Sequence, residues 1–306
     1  MSATPQQTQR LTVADIARMR ADGEPIPMLT AYDYPTARLL DEAGIPFILV
    51  GDSLGTVLLG YDSEIRVTMA DMLHHTAAVV RGTSRALVVG DMPFLSYASP
   101  EEAVDNAGRF LQEAGAQAVK VEGGVRTARV IEAIVKAGIP VMGHIGWTPQ
   151  AKHALGGKVR VQGKTGDRAR SLLADSLAVQ EAGAFSIVLE LVPEQLAAAL
   201  TERLRIPTIG IGAGPGCSGQ VQVITDLLGV ADWHPKHSRP FADLRGVILG
   251  AARSYADEVR AGTFPGAEQT VRMDDDVLED VLGRSPLDRG RAAAPTGPGI
   301  PLDRDL

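Results

Sequence analysis

Short apolar runs alternate with amphipathic stretches along most of the chain. Seven of these runs are bounded by Gly, Pro or charged residues and are rich in β-branched or aromatic residues, and an eighth is weaker. Continuous apolar runs of this length are typical of strands that are buried on both faces, so they predict a parallel sheet. The predicted strands are PMLTAY from Pro27, PFILVGD from Pro46, ALVVGD from Ala86, QAVKVE from Gln117, IPVMGHI from Ile139, FSIVLE from Phe185, IPTIGIG from Ile206 and the weaker GVADW from Gly229.

Between these runs, apolar residues recur at the spacing of amphipathic helices. Ser99 followed by Pro100 is typical of an N-cap with a proline in the first turn. Eight strands alternating with helices indicate an α/β fold, a single-domain (β/α)8 TIM barrel, with a doubly wound open sheet as the alternative. The predicted helices are MADMLHHTAAVV from Met69, PEEAVDNAGRFLQEAG from Pro100, TARVIEAIVKAG from Thr127, RARSLLADSLAVQEAG from Arg168 and VPEQLAAALTERL from Val192.

The alternating pattern runs without a linker from about residue 25 to about residue 260. It predicts a lead-in helix within residues 1–24 and a barrel catalytic domain over residues 25–264. After Phe264, acidic clusters with Pro, Gly and Ala replace the apolar period. Residues 265–306 are therefore predicted to form a disordered tail or a docking segment.

The composition supports a globular protein and excludes several classes of function. With 45% hydrophobic residues over 306 positions, the chain can bury a substantial core, which excludes disorder for its bulk. Lys and Arg number 30 against 37 Asp and Glu, a formal charge of -7, so we expect no nucleic-acid partner. Cys217 is the only cysteine, the opening residues lack the apolar core of a signal peptide, and no long apolar run occurs. We therefore expect a cytoplasmic protein without a membrane span.

Chemically reactive side chains follow almost every predicted strand. Barrel active sites form where the strands pass into the βα loops, so we expect these side chains to converge. Any one acidic residue could instead cap a helix, but Asp91 precedes Met92 and Pro93 rather than a helix, and glutamates are poor caps. The candidates, in strand order, are Tyr32 and Asp33, Asp52 and Ser53, Asp91, Lys120 and Glu122, His144, and Glu190.

Three of these candidates predict a metal site. The carboxylates of Asp52, Asp91 and Glu122, brought into one pocket, would repel one another unless a cation lay among them. An all-oxygen ligand set selects a hard ion, so the hypothesis is Mg²⁺ that is also chelated by a 2-oxo acid. Lys120 and Ser53 would then orient the carboxylate of that substrate.

Nine short motifs follow one another between Leu11 and Phe264. They are MLTAYDYPTA from Met28, VGDSLG from Val50, GYDS from Gly60, HTAAVVRG from His75, DMPFLSY from Asp91, VKVEGG from Val119, GHIGWTPQ from Gly143, LELVP from Leu189 and IGIGAGP from Ile209. In order and spacing they resemble the ketopantoate hydroxymethyltransferase family. The resemblance implies one Mg²⁺ per subunit, 5,10-methylenetetrahydrofolate as the one-carbon donor, and a homo-oligomer, a decamer.

The implied reaction converts 3-methyl-2-oxobutanoate to 2-dehydropantoate (ketopantoate), in pantothenate and coenzyme A biosynthesis. The C3 proton of the oxo acid is too weakly acidic for a carboxylate base unless a cation polarises the adjacent carbonyl. The resulting enolate would attack the methylene carbon of the folate, and hydrolysis would leave a hydroxymethyl group. The matched positions are Asp52, Asp91 and Glu122 for the metal; Asp52, Ser53, Asp91, Lys120 and His144 for the substrate; and Glu190 for the general base.

The chain departs from the family's pattern in loops that bear on folate binding or assembly. His153 stands where Asn is usual, Lys164 stands where Arg is usual, and Ser218 replaces an Asp before Gly219 and Gln220. The resemblance does not indicate which residues bind the folate.

Two other functions fit parts of the pattern. A Mg²⁺-dependent 2-oxo acid lyase or mutase of the phosphoenolpyruvate mutase/isocitrate lyase type would keep the barrel and the metal. Such enzymes generally present a catalytic cysteine loop or a phosphonate site, whereas Cys217 has no nearby basic partner in the sequence. A non-catalytic barrel that binds a ligand would keep the same residues without turnover. Folate-dependent product formation therefore separates this hypothesis from that of a hydroxymethyltransferase.

Overall fold

Eight parallel strands close into a barrel in the computed structural model, which describes residues 9–283. Each strand pairs with the next along the chain, and the last pairs with the first. The predicted (β/α)8 TIM barrel is therefore confirmed, and the open sheet is excluded. The strands are β1 (Ile26–Thr30), β2 (Phe47–Val50), β3 (Leu87–Asp91), β4 (Ala118–Glu122), β5 (Val141–Gly146), β6 (Ser186–Glu190), β7 (Thr208–Ile211) and β8 (Gly219–Gln222).

Helices alternate with the strands along the chain, and the five predicted ones are confirmed to within a few residues at each end. Ser99 caps its helix as predicted, since its side chain accepts from the N–H of Glu102 and Pro100 is the first helical residue. The helices are α1 (Val13–Ala21), α2 (Tyr34–Glu42), α3 (Leu54–Val57), α4 (Met69–Gly82), α5 (Pro100–Gln112), α6 (Ala128–Lys136), α7 (Gly166–Glu181), α8 (Glu194–Arg203), α9 (Ile224–Leu228), α10 (Leu244–Ala261) and α11 (Asp275–Leu282). Short 3-10 helices lie at Glu64–Arg66, Val125–Thr127, Pro149–Ala151 and Ala267–Gln269.

The prediction of the eighth strand was wrong. The GVADW run from Gly229 is irregular, and Gly229 itself ends α9 in the left-handed conformation, with φ +64°. The strand that closes the barrel is β8, in which Val221 is the one large apolar residue. Its Gly219 packs so closely on β1 that a Cβ atom there would lie 2.3 Å from the carbonyl oxygen of Ile26. Closure at this seam therefore depends on a small residue rather than on an apolar run.

The apolar core has two layers. The outer layer lies between the sheet and the surrounding helices, and the inner layer fills the barrel with side chains such as Met28, Phe47 and Met142. Ile16 of α1 is fully buried in that inner layer. Because α1 precedes β1 and packs at the amino ends of the strands, the lead-in helix closes that end of the barrel. The carboxyl ends of the strands are the ones left for a functional site.

Contacts divide the chain into two compact units between Arg245 and Gly246, and the first unit holds the whole barrel. The division lies before residue 264, where the sequence predicts the end of the barrel domain, so the predicted boundaries stay predictions. Neither α10, which begins two residues before this division, nor α11 has a buried residue. Helix α11 lies inside the predicted tail, and the rest of that tail beyond Gly283 lies outside the described residues. Across residues 9–283, no helix is long and apolar enough to cross a membrane.

Candidate active site

A cavity of about 840 Å³ opens at the carboxyl ends of the barrel strands. Seven of the nine candidate residues from the sequence line it together: Asp52, Ser53, Asp91, Lys120, Glu122, His144 and Glu190. Five of them lie in β3 to β6, and Asp52 and Ser53 lie two and three residues after β2, so the register of neighbouring strands brings them to one place.

Tyr32 and Asp33, the two candidates after β1, have structural roles. Asp33 is the N-cap of α2 and accepts from the N–H of Thr36 at 2.8 Å, so the capping alternative is correct for this residue. Burial raises the pKa of the Tyr32 phenol to about 12, and its Oη lies 2.9 Å from Oγ of Ser53. Tyr32 therefore fixes a side chain of the cavity from behind rather than facing the cavity itself.

The three carboxylates of the predicted metal site are buried close together at the floor of the cavity. Asp52, Asp91 and Glu122 are 4%, 1% and 0% exposed, and the backbone N–H of Asp52 donates to Oδ2 of Asp91 at 3.1 Å. Burial, followed by the negative charges of Asp91 and Glu122, raises the pKa of Asp52 well above its usual range. Burial also raises the pKa of Asp91. Without a cation among them, the ionised forms of these three carboxylates would therefore repel one another.

Lys120 is the cation that the chain itself places among these carboxylates. Its Nζ lies 2.9 Å from Oδ1 of Asp91, 3.7 Å from Oε1 of Glu122 and 3.2 Å from Nδ1 of His144. Burial opposes the charge of Lys120, but the surrounding carboxylates outweigh it and raise the pKa of the ammonium. Burial likewise raises the pKa of Glu122, but Lys120, His144 and the N–H of Gln150 outweigh it and lower that pKa. Lys120 and Glu122 therefore form a charged pair.

The floor fits a hard divalent cation by donor chemistry and by charge. The three acidic side chains offer oxygens only, and Oε1 of Glu122 is buried with no hydrogen bond in the described part of the chain, where its ion-pair contacts are Lys120 and His144 alone. Within residues 9–283, no three acidic, imidazole or thiol groups already surround a common point at which a metal could bind. Lys120 lies among the carboxylates in this arrangement, so metal binding would require these side chains to reorient.

His144 joins the buried floor to the open part of the cavity. Its Nδ1 lies 3.3 Å from Oε1 of Glu122, and its Nε2 lies 3.2 Å from Oε2 of Glu190. Burial and Lys120 both lower the pKa of His144, but Glu122 and Glu190 outweigh them and raise it. The side chain of Glu190 is 17% exposed, unlike the fully enclosed acids of the floor. Glu190 is therefore the one carboxylate of the seven candidates that is both oriented by a neighbour and open to a bound molecule.

Gln150 and Tyr97 belong to the site and were missed by the sequence analysis. Nε2 of Gln150 donates to Oδ2 of Asp52 and to the carbonyl oxygen of Met92, both at 2.9 Å. The backbone N–H of Gln150 donates to Oε2 of Glu122 at 3.1 Å, and the Tyr97 hydroxyl donates to Oε1 of Gln150. Burial raises the pKa of Tyr97 well above its usual range, which keeps that hydroxyl protonated. Both residues end motifs that the sequence analysis quotes, Tyr97 in DMPFLSY and Gln150 in GHIGWTPQ.

The mouth of the cavity is formed by the segment after β5 and by the segment after α9. Lys152 and Arg160 line it from the first of these, and Trp233 and Lys236 from the second. The first of these segments includes His153 and Lys164, two of the positions at which the chain departs from the family's pattern. Cys217 does not line the cavity, and burial raises the pKa of its thiol. The lyase or mutase alternative therefore has no cysteine nucleophile in this cavity.

Comparison with known proteins gives a consistent result at the level of sequence. A family model described as ketopantoate hydroxymethyltransferase matches residues 10–267. The 3-methyl-2-oxobutanoate hydroxymethyltransferase of Chloroflexus aurantiacus is 63% identical over 275 residues, which are 90% of this chain and 97% of that relative. The enzyme of the same name from Dehalococcoides mccartyi is 56% identical over 274 residues, 89% of this chain and 98% of the relative.

Solved structures with a similar fold are far more distant in sequence. A phosphonopyruvate hydrolase in complex with oxalate and Mg²⁺ has a TM-score of 0.56 and 13% identity, covering 88% of this chain and 94% of that one. A 2,3-dimethylmalate lyase of the PEP mutase/isocitrate lyase superfamily has a TM-score of 0.53 and 17% identity, covering 92% and 97%. At these identities the likeness concerns the barrel fold alone.

Proposed function

The chain belongs to the ketopantoate hydroxymethyltransferase family, and we propose that it transfers a hydroxymethyl group from 5,10-methylenetetrahydrofolate to 3-methyl-2-oxobutanoate. The product would be 2-dehydropantoate, which places the reaction in pantothenate and coenzyme A biosynthesis. The observation that supports this assignment best is the pair of His144 and Glu190. It sets one partly open carboxylate above a buried floor of acids and one lysine, all lining the same cavity.

The proposed roles follow from position in the cavity. Asp52 and Asp91 would hold Mg²⁺, with Glu122 beside them, and Lys120 would neutralise part of the remaining charge. When bound, Mg²⁺ would polarise the carbonyl of the oxo acid and stabilise the negative charge that develops on its oxygen. Lys120 and Ser53 would hold the substrate carboxylate.

Glu190 would act as the general base. A carboxylate can remove the C3 proton only while it is ionised and aimed at the substrate, and the contact with His144 restricts its side chain. His144 would in turn be held by Glu122, which lies 3.3 Å from its other nitrogen. The C3 carbon of the enolate would then bond to the methylene carbon of the folate as one bond from that carbon to a folate nitrogen breaks. Water would replace the second nitrogen, so the carbon keeps a hydroxyl group. The proton taken from C3 and the second proton of the water would go to the two nitrogens, and tetrahydrofolate would leave.

The test follows the two halves of the reaction by proton NMR in D₂O. With enzyme and Mg²⁺, the C3 proton of 3-methyl-2-oxobutanoate should exchange before folate is added, and a hydroxymethyl signal should appear afterwards. Glu190→Gln should bind the oxo acid while its exchange rate falls by about 10²–10⁴-fold, the usual contribution of a general base. Glu194→Gln, an exposed position at the start of α8, is the matched control.

Each outcome bears on a different part of the proposal. Unchanged exchange in Glu190→Gln would assign the base to another group. Exchange without a hydroxymethyl product in the unmodified enzyme would contradict the transferase assignment. Absence of both, with the protein folded and Mg²⁺ bound, would favour the non-catalytic alternative. The family resemblance also supports a homo-oligomer, a decamer, which sedimentation of the full chain would test.

A further inference from the structure

A second cavity, of about 880 Å³, lies beside the catalytic one. Its wall begins at Gly123 and Gly124, directly after Glu122, and continues through Gly146 and Thr148 at the end of β5. The amino-terminal half of α7 forms another wall. The second cavity therefore shares the strand ends of β4 and β5 with the active site, but no residue of the proposed reaction faces it.

The charge of this second cavity is positive. Arg126, Arg160 and Arg168 line it, and none of them has an ion-pair partner among residues 9–283. Asp175 is the one acid in the wall, and its Oδ1 already accepts from the N–H of Val125 at 2.8 Å. Three guanidinium groups around a space of this size are suited to carboxylates, which arginine binds through two parallel hydrogen bonds.

The charge of the catalytic cavity is opposite. Besides Asp52, Asp91, Glu122 and Glu190, its walls carry the carboxylates of Asp62, Glu64 and Asp226. Four cationic side chains face these seven acids: Lys120, Lys152, Arg160 and Lys236. The seven acids outnumber the four lysine and arginine side chains of this cavity, so an anionic tail of a substrate is better placed in the arginine-lined cavity.

Arg160 connects the two spaces because it lines both of them. The segment that carries it separates the cavities: Lys152 and Val161 face the catalytic side, whereas Leu155 and Gln162 face the second cavity. A long molecule with an uncharged head and a carboxylate tail could therefore place its head at the mouth of the active site and its tail across Arg160.

We infer that the second cavity binds the glutamate tail of the folate co-substrate through Arg126, Arg160 and Arg168. The inference rests on the proposed function, because the donor is the one molecule of that reaction with such a tail. It assigns the folate-binding residues that the sequence left open. The oxo acid half of the reaction takes place in the catalytic cavity alone and does not involve these arginines.

The test compares three donors with the full-length enzyme: 5,10-methylenetetrahydropteroate, which lacks glutamate, 5,10-methylenetetrahydrofolate, and its triglutamate. The unmodified enzyme should show a KM that falls by at least about tenfold from the pteroate to the glutamate-bearing donors, as expected for charge-assisted hydrogen bonds. Arg126→Gln and Arg168→Gln should each raise the KM of the glutamate-bearing donors about tenfold and leave that of the pteroate unchanged. Arg170→Gln, an arginine of α7 that pairs with Asp167 and does not line either cavity, is the matched control.

Equilibrium binding of tetrahydropteroate and tetrahydrofolate, measured by calorimetry, gives a readout that does not depend on turnover. Equal affinity of the unmodified enzyme for the two would overturn the inference, as would a KM increase in the variants that is the same for all three donors. If turnover does not depend on the glutamate tail, the second cavity is not its binding site, but the proposed hydroxymethyl transfer is unaffected. Failure of every donor, and of deuterium exchange into the oxo acid, would remove both.

Discussion

Nε2 of Gln150 donates a hydrogen bond of 2.9 Å to Oδ2 of Asp52, and both side chains are 4% exposed. The same residue reaches Glu122 through its backbone N–H. Gln150 lies in the 3-10 helix Pro149–Ala151, immediately before the segment that separates the two cavities. It therefore orients two of the proposed metal-binding carboxylates and anchors that segment to them.

Gln150→Ala should weaken Mg²⁺ binding by about 10–100-fold, because residues that orient metal ligands typically contribute this much to affinity. Calorimetric titration with Mg²⁺ measures the effect, and the exchange rate of the oxo acid at saturating Mg²⁺ separates lost binding from lost catalysis. Gln112→Ala, at an exposed position of α5, is the control for loss of a glutamine. A folded Gln150→Ala protein with unchanged Mg²⁺ affinity would show that Asp52 holds its position without the Gln150 side chain.

Lys120→Met should destabilise the metal-free protein by about 3–5 kcal/mol, since it leaves buried carboxylates without their cation. Mg²⁺ should then stabilise the variant more than the unmodified protein, because the ion replaces part of the missing positive charge. Thermal unfolding with and without Mg²⁺ gives both quantities. Lys136→Met, which removes the exposed pair with Glu132, should change Tm little in either condition. Equal stabilisation of both proteins by Mg²⁺ would place the ion away from these acids.

The apolar runs were sufficient to predict the barrel because seven of its strands are buried on both faces and alternate with helices. The eighth strand could not be recognised in this way. Its sequence, GQVQ, offers Val221 as its one large apolar side chain, and Gly219 is needed for close approach to Ile26. Neither property produces a periodic pattern in the sequence, because both depend on the contact between the last strand, β8, and the first, β1.

The active-site candidates were predictable for a related reason. Parallel strands deliver the residues at their carboxyl ends to one edge, so position along the chain was enough to group Asp52 with Glu190. Gln150 and Tyr97 enter the site from connecting segments, through hydrogen bonds between residues 53 positions apart. The opposite error concerns Asp33, which was included among the site candidates because it follows a strand. Its side chain instead caps α2.

Gly146→Ala should disturb the proposed base more than a glycine substitution elsewhere. Gly146 has φ +96°, and a Cβ atom there would lie 2.1 Å from the carbonyl oxygen of Glu190. Gly138 has a similar φ of +87° with nothing within 4 Å, so Gly138→Ala isolates the backbone cost of about 1–2 kcal/mol. We expect Gly146→Ala to lose more stability than Gly138→Ala and to lower kcat by about 10–100-fold through displacement of Glu190. Equal effects in urea unfolding and in kcat would contradict the steric argument.

Asp41 should make the stability of the barrel depend on pH in the acid range. Its carboxylate accepts from the backbone N–H groups of Ser84, Arg85 and Ala86, which lead into β3. Burial raises the pKa of Asp41, but these hydrogen bonds outweigh it and lower the pKa below that of the unfolded chain. The folded protein therefore binds the proton less tightly than the unfolded one, so this contribution is present above about pH 4 and is lost as pH falls further.

Asp41→Asn should accordingly lower the free energy of unfolding by about 1–2 kcal/mol at pH 7, a modest value because the carboxylate is partly exposed. At pH 2–3 the native carboxyl is itself protonated, so the substitution should change the free energy of unfolding little. Urea unfolding from pH 7 to pH 2.5 measures the difference between the two proteins. Asp105→Asn, at an exposed position of α5, controls for the loss of one negative charge. The difference in the free energy of unfolding between Asp41→Asn and the unmodified protein could instead stay constant over this pH range. That result would mean that the shape of the Asp41 side chain, and not its ionisation, stabilises the turn.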